Sequence, residues 1–312
     1  MPTKGKSNNF ELKESIASLL LNKIRRGLYK KVISKNCNLF LRNNDLISAY
    51  PATSGLWEPH LAALIKSFVD NGYNDFFIDI GANIGLTSCQ NGQDFKYVHM
   101  FEPNPLCCSI LEVNAAITLD ESCFKIHPYG LGDADKTVLL SVPKHNWGGA
   151  FINDSENSYT SKVLANKDGF KDLRSGNYLD VEIKIKNTSN ELKMIFKELS
   201  EKGLKKGVIK IDVEGYEPTV LKGIANSLPN NMKVFIIFES WDSNFNIDKI
   251  LNAFEGRAIA SKLFQYYPYY PYEKNWNVFL KTASLVFNRT ISTRLETVTT
   301  GDFLGDIVLK VD

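Results

Sequence analysis

The stretch that most constrains the fold is Phe76 to Gly85, FFIDIGANIG. Three apolar residues run into Asp79, and the chain then turns over Gly81 and Gly85. This is how a buried parallel strand delivers its C-terminal end to a ligand, because glycine lets the backbone turn sharply and leaves room where a side chain would collide. The dinucleotide fingerprint G-x-G-x-x-G is a poor match, since Asn83 takes the second glycine position and Leu86 the sixth. An acid two residues before the first glycine suits instead a ligand that carries a cation near the strand tip.

The strands that follow repeat the theme. Tyr97 to Phe101 is a short apolar run ending on Glu102, then Pro103-Asn104-Pro105. An acid there, about 20 residues past the first, is placed to hold a ribose diol. Phe124 to Tyr129 reads as a third strand and leads into Gly130-Leu131-Gly132-Asp133, a second glycine turn where an adenine ring fits. Lys136 to Val142 and Val181 to Lys186 alternate, predicting an inserted antiparallel ribbon over about 134–188. Its long polar loop carries His145 and Trp147-Gly148-Gly149.

Gly207 to Val213 reads as a strand running into Asp212 and Glu214, which an extended backbone places on one side. Lys233 to Phe238 is another strand, ending on Glu239. Carboxylates at successive strand tips converge on one crevice in a parallel sheet. The predicted helices are Glu58–Asn71, Pro105–Ala116, Ser189–Glu201, Glu217–Ala225 and Ile247–Phe264, while Ala49–Gly55 reads as a loop. Ala283–Asn288 and Asp306–Val311 are expected to finish the sheet as an antiparallel pair. Between them and the last helix, the run Tyr266 to Tyr272 holds Pro268 and Pro271 and is a rigid tyrosine-rich loop, suited to stacking on a sugar ring or to capping the core.

At 312 residues the chain fits one domain, taken as 51–312, behind a helical extension over 1–50. Residues 1–35 hold nine Lys and Arg against Glu11 and Glu14, more than the whole net charge of +2, so the rest is net acidic. A folded body of that sign argues against nucleic-acid binding. Residues 11–35 form a basic amphipathic helix, which packs on the core or a second copy of the chain, or lies on an anionic membrane surface. The five cysteines include no C-x-x-C pair, and neither a secretory leader nor a membrane-spanning apolar run is seen, so a cytoplasmic protein is expected.

FIDIGANIG, FEPNP, KIDVEGYE (Lys210 to Glu217) and FES (Phe238 to Ser240) together resemble the motifs of the FkbM family of S-adenosylmethionine-dependent methyltransferases, over roughly Ala49 to Leu251. The resemblance implies an α/β fold with a Rossmann-like seven-stranded sheet flanked by helices, its last two strands an antiparallel pair. It also implies O-methylation of a hydroxyl on a sugar or natural product, within glycan or polysaccharide synthesis. Under it, Asp79 and Gly81 face the methionine part of the cofactor, Glu102 the ribose and Asp133 the adenine edge, with Asn83 and Gly85 of the same glycine turn also binding the cofactor.

Methyl transfer to a weakly nucleophilic hydroxyl gains from a positioned base, typically by a factor of about 10² to 10⁴. Asp212, Glu214, Glu239 and His145 are the candidates, with Asp212 preferred. Alternatively Asp212, Glu214 and Glu239 hold Mg²⁺, which lowers the hydroxyl's pKa. Two other classes stay open at this level. One is an NAD-dependent oxidoreductase or epimerase acting on a sugar, and the other is a non-catalytic module that keeps the cofactor fold.

Overall fold

The structure, a computed structural model, describes residues 20, 21, 23–25, 27, 38–43, 45–155, 157–161, 163, 164, 173, 175–241, 245–266, 292–297 and 304–312. Helix α1 (Leu46–Ser54) occupies the segment expected to be a loop. The Asp45 side chain accepts from Ile47 N–H at its start and Gly55, at φ 87°, stops it. These caps prevail although Pro51 lies inside. Helix α2 (Pro59–Asp70) starts on proline and buries Leu61, Leu64, Ile65 and Phe68, one stripe of a 3.6-residue period. Each such side chain contributes about 1.5–3 kcal/mol when fully buried.

The main sheet is built from β1 (Phe76–Ile80), β2 (Tyr97–Phe101), β3 (Phe124–His127), β8 (Lys206–Ile211), β9 (Lys233–Ser240), β10 (Ala258–Tyr266), β11 (Ser292–Thr297) and β12 (Gly305–Val311). Its order is β11-β10-β12-β9-β8-β1-β2-β3. The five strands from β9 to β3 run parallel, and β12, β10 and β11 each pair antiparallel to a neighbour. Side chains alternate across it. Phe76, Ile78 and Ile80 pack with helices α5 (Thr188–Glu201), α6 (Glu217–Ser227) and α7 (Ile247–Ala253), while Phe77 and its neighbours pack with α2, α3 (Leu86–Asn91) and α4 (Pro105–Thr118).

The expected α/β sheet with helices on both faces is present, and the described residues form eight strands of it rather than seven. The difference lies at Ile247–Phe264, read as one helix. Glu255 and Gly256 take φ of 53° and 80°, so α7 stops at Ala253 and the remainder becomes β10, paired on both sides. Asp306–Val311 is the strand expected. Ala283–Asn288, and the tyrosine-proline run beyond Tyr266, lie outside the described residues.

A second sheet, ordered β4-β7-β5-β6, is made by β4 (Gly130–Gly132), β5 (Lys136–Pro143), β6 (Phe151–Ile152) and β7 (Tyr178–Asn187). The predicted ribbon is its antiparallel β5–β7 pair, Lys136 opposite Ile185 and Val142 opposite Leu179.

Candidate active site

From β1 the chain winds outward through β2 and β3, then returns to β8 on the other side of β1. The C-terminal ends of β1 and β8 therefore flank a topological switch point, where ligands enter open α/β sheets. The loops at these two tips touch. Gly81 sits at φ 83°, and a Cβ there would lie 1.9 Å from the Asp212 carbonyl oxygen. Asp212 N–H donates to Ile80 O at 2.9 Å, and the N–H groups of Gly81 and Ala82 both donate to Phe101 O at 2.9 Å. A cavity of about 240 Å³ opens here, lined by Asn83 and Glu102, by Lys210, Asp212, Glu214 and Glu239, and by Trp147 ahead of β6 and Phe151 in it.

Glu102 is buried at the tip of β2, its Oε2 accepting from Asn83 N–H (2.8 Å) and its Oε1 from Asn104 N–H (2.7 Å). Each carboxylate oxygen can accept twice, so capacity remains for hydroxyl donors. Burial pushes its pKa up to about 7 against the pull of both amides, and the charges of Asp79 and Asp212 add to the rise.

Asp79 lies beneath the cavity and does not line it. Fully buried, it accepts from Ser88 Oγ at 2.8 Å and faces Lys210 Nζ at 3.4 Å. Lys210 is its register partner on β8. The cation that Asp79 was expected to meet on a ligand is thus supplied by the protein. Lys210 also reaches Asp212 at 3.3 Å. Burial alone would lower its pKa, but Asp79, Asp212 and Glu58 hold it above the ordinary lysine value.

Other expected residues divide between the cavity and its surroundings. Gly81, Asn83, Glu102, Asp212, Glu214 and Glu239 line it. Gly85 instead starts α3 at φ 85°, where a Cβ would strike Cys89 and Leu111, each 2.7 Å away. Asp133 is exposed outside the lining, 3.6 Å from Lys136, and His145 is exposed in the turn after β5. Nor does an extended backbone carry Asp212 and Glu214 side by side, for β8 ends at Ile211 and Glu214 takes φ 46°.

Within KIDVEGYE, Glu217 has a structural role, accepting from Val213 N–H (3.3 Å) and Gly215 N–H (2.9 Å), while Asn157 Nδ2 holds the Glu214 carbonyl at 2.9 Å. Among the described residues no three His, Cys, Asp or Glu side chains are grouped to hold a metal ion. The proposed Mg²⁺ triad of Asp212, Glu214 and Glu239 is therefore not formed, and the charge beside Asp212 is that of Lys210.

Two features of the cavity were not read from sequence. Glu58 precedes Pro59 and was taken only as the start of a helix. It takes a left-handed conformation (φ 40°, ψ 66°) and leaves α2 uncapped. Among the described residues no hydrogen-bond donor reaches its carboxylate, which lines the cavity. Burial pushes its pKa up to about 7, Lys210 and His60 pull it down, and Asp212 and Asp306 raise it further. The Gln90 side chain fixes the backbone next to it, accepting from Trp57 N–H at 2.6 Å and donating to Trp57 O at 3.2 Å.

The second feature is a clasp over the cavity. The Arg42 guanidinium stacks 3.8 Å from the Trp147 ring centre and bonds Asp45 (2.5 Å) and Lys144 O (2.8 Å). Trp147 Nε1–H is buried without a partner among the described residues, a donor left for a ligand.

The methyltransferase FkbM domain matches residues 79–258, more than half of the chain. The methyltransferase sdnD of Sordaria araneosa is 29% identical over 178 residues, covering 54% of this chain and 67% of that protein. Among solved structures, methyltransferase FkbM from Methylobacillus flagellatus KT is 11% identical at a TM-score of 0.34, covering 93% of this chain and 60% of its own. The precorrin 8W decarboxylase of Methanobacterium thermoautotrophicum is 10% identical at a TM-score of 0.40, covering 88% and 100%. With its motifs spread along β1, β2, β8 and β9 around a single cavity, the chain belongs to the FkbM methyltransferase family.

Proposed function

We propose that this protein is an S-adenosylmethionine-dependent O-methyltransferase acting on a hydroxyl of a sugar, in the assembly of a surface carbohydrate, polysaccharide or natural product. The observation that carries this reading is the charge of the cavity. Its lining holds five carboxyl side chains, Glu58, Glu102, Asp212, Glu214 and Glu239, against one ammonium, Lys210. Such a surface favours a cationic ligand and disfavours the pyrophosphate of a dinucleotide. Bound there, the donor supplies an electrophilic methyl carbon on a sulfonium. Glu102 would accept from the ribose hydroxyls, Trp147 Nε1–H would donate to the ligand, and Gly81 leaves the tips of β1 and β8 close enough to wall the site.

Titration calorimetry with S-adenosylhomocysteine and with NAD⁺ tests this. Saturable binding of the first and none of the second is expected, and tight NAD⁺ binding would overturn it. The acceptor is read as a small molecule or glycan rather than a nucleic acid, met in the cytoplasm. Among the described residues no helix is long and apolar enough to cross a membrane. The described residues of the segment 11–35 are helical and exposed, Leu20, Leu21 and Ile24 beside Lys23 and Arg25. That exposure favours an anionic membrane surface, or a second copy of the chain, over the protein's own core as the covering for this helix.

A further inference from the structure

A second cavity of about 470 Å³ adjoins the first, lined by Tyr50, Trp57, Glu58, Pro59, His60, Ala63 and Thr293. Trp57 and Glu58 belong to both linings. We propose that this outer cavity is the acceptor site for a pyranose ring, and that Glu58 is the catalytic base that takes the proton from the acceptor hydroxyl. The inference rests on the methyl-donor reading of the inner cavity and adds to it the place and chemistry of the second substrate.

The lining has the composition a sugar requires. Tyr50 and Trp57 meet edge to face with ring centres 6.5 Å apart, offering aromatic surface to the C–H face of a pyranose. Glu58 and His60 supply polar groups for its hydroxyls. His60 Nε2 stands 3.5 Å from Asp306 Oδ2, and that carboxylate raises the imidazole's pKa despite its partial burial. The volume is within the range of about 300–1,000 Å³ usual for ligand sites.

Glu58 is suited to the proton transfer in three ways. It stands where the two cavities meet. Its carboxylate is free of hydrogen bonds among the described residues, whereas Asp212, the base preferred from sequence, is paired with Lys210 and half-exposed. The charged groups around Glu58, namely Lys210, Asp212, Asp306 and His60, together with burial, leave it titrating near 7, where a base is most useful. The left-handed backbone at Glu58, braced by Gln90 through Trp57, is the kind of local strain that collects at functional positions.

The step balances. The acceptor O–H bond breaks with its proton passing to a Glu58 oxygen, and the hydroxyl oxygen's electron pair forms the new O–CH₃ bond. The C–S bond pair departs with sulfur, giving S-adenosylhomocysteine, and protonated Glu58 returns its proton to water. Glu58 lies outside residues 79–258, so the base comes from the segment ahead of the family domain.

Saturation-transfer NMR with methyl glycosides of glucose, galactose, mannose and rhamnose, run with and without S-adenosylhomocysteine, tests the site. Calorimetry of S-adenosylhomocysteine is run on the same samples. At least one glycoside should bind wild type, and Tyr50→Ala should weaken it about tenfold while leaving S-adenosylhomocysteine affinity unchanged. Glu58→Gln should keep both ligands yet lose about 10²–10⁴-fold in kcat, together with the limb of the pH profile near 7. ¹³C NMR of the Glu58 carboxyl should show the same titration directly. Binding of S-adenosylhomocysteine without any glycoside, or a Glu58→Gln variant with full kcat, would overturn the inference and leave the donor reading standing. Glycoside binding without S-adenosylhomocysteine binding would sink the donor reading and support the outer site.

Discussion

If the donor binds as proposed, Glu102 makes that binding a titration. If only its ionised form accepts the ribose hydroxyls, affinity for S-adenosylhomocysteine follows the ionised fraction. With a pKa near 7, that fraction is about 90% at pH 8 and about 3% at pH 5.5, a ratio of about 30 and close to 2 kcal/mol. A carboxyl at its ordinary 4.5 would be about 90% ionised even at pH 5.5, and affinity would barely change. Calorimetry from pH 5.5 to 8 should therefore show Kd falling about thirtyfold as pH rises, with proton release visible in buffers of different ionisation enthalpy.

Glu58 titrates in the same range, so the series is repeated in two variants. The slope should survive in Glu58→Gln and vanish in Glu102→Gln. The latter also turns an amide NH₂ toward Asn83 N–H or Asn104 N–H, at a stability cost of about 1–3 kcal/mol. A flat wild-type curve, or a slope that persists in Glu102→Gln, would refute the assignment of the ribose to Glu102.

Gly81→Ala should abolish S-adenosylhomocysteine binding and lower the melting temperature. Gly72→Ala, at an equal φ but with nothing within 4 Å of its added Cβ, should cost only about 1–2 kcal/mol by urea titration, separating collision from backbone strain. Lys210→Met leaves Asp79 buried without its cation and should destabilise the fold by about 3–5 kcal/mol, with Asp79→Asn in the same chain restoring more than half in a double-mutant cycle. Burial lowers the pKa of His99 to about 3 and of His127 to about 4, so their stability contribution is full above pH 6.5 and lost as pH falls toward 4. Glu58 and Glu102, raised to about 7, act oppositely, being stabilising below 4.5 and losing that contribution as pH rises to 7. The ligand-free protein should accordingly show a nearly level urea midpoint between pH 4.5 and 6.5, and His99→Phe/His127→Phe should turn it into a decline with rising pH; a midpoint that rises in that variant would refute the balance.

The fold's centre was legible because its signals are local. Three apolar residues running into an acid, a glycine turn and an acid after β2 specify β1, its turn and Glu102 without reference to distant residues. The side of the strand on which Asp79 acts was not legible in the same way. Alternation puts it on the face of Phe77, but the meeting with Lys210 depends on the register of β1 against β8, which lie 131 residues apart. Glu58 was out of reach for a similar reason, since its importance comes from α2 starting beside the tip of β8. The misread β10 had a local signal that was outweighed, for Gly256 marks a stop, yet Ile247, Ile250, Leu251 and Phe254 carry a helical spacing that Ala258 extends.

The contact of Arg42 with Trp147 means that the catalytic unit and the family domain do not share a boundary. A protein trimmed to begin at residue 76 would keep β1 and every motif by which the family is recognised, yet would discard Tyr50, Trp57, the proposed base Glu58 and the Arg42 half of the clasp. Grafting the proposed acceptor site onto another scaffold would then require 42–60 together with Trp147, because the guanidinium and the ring it stacks on come from separate segments.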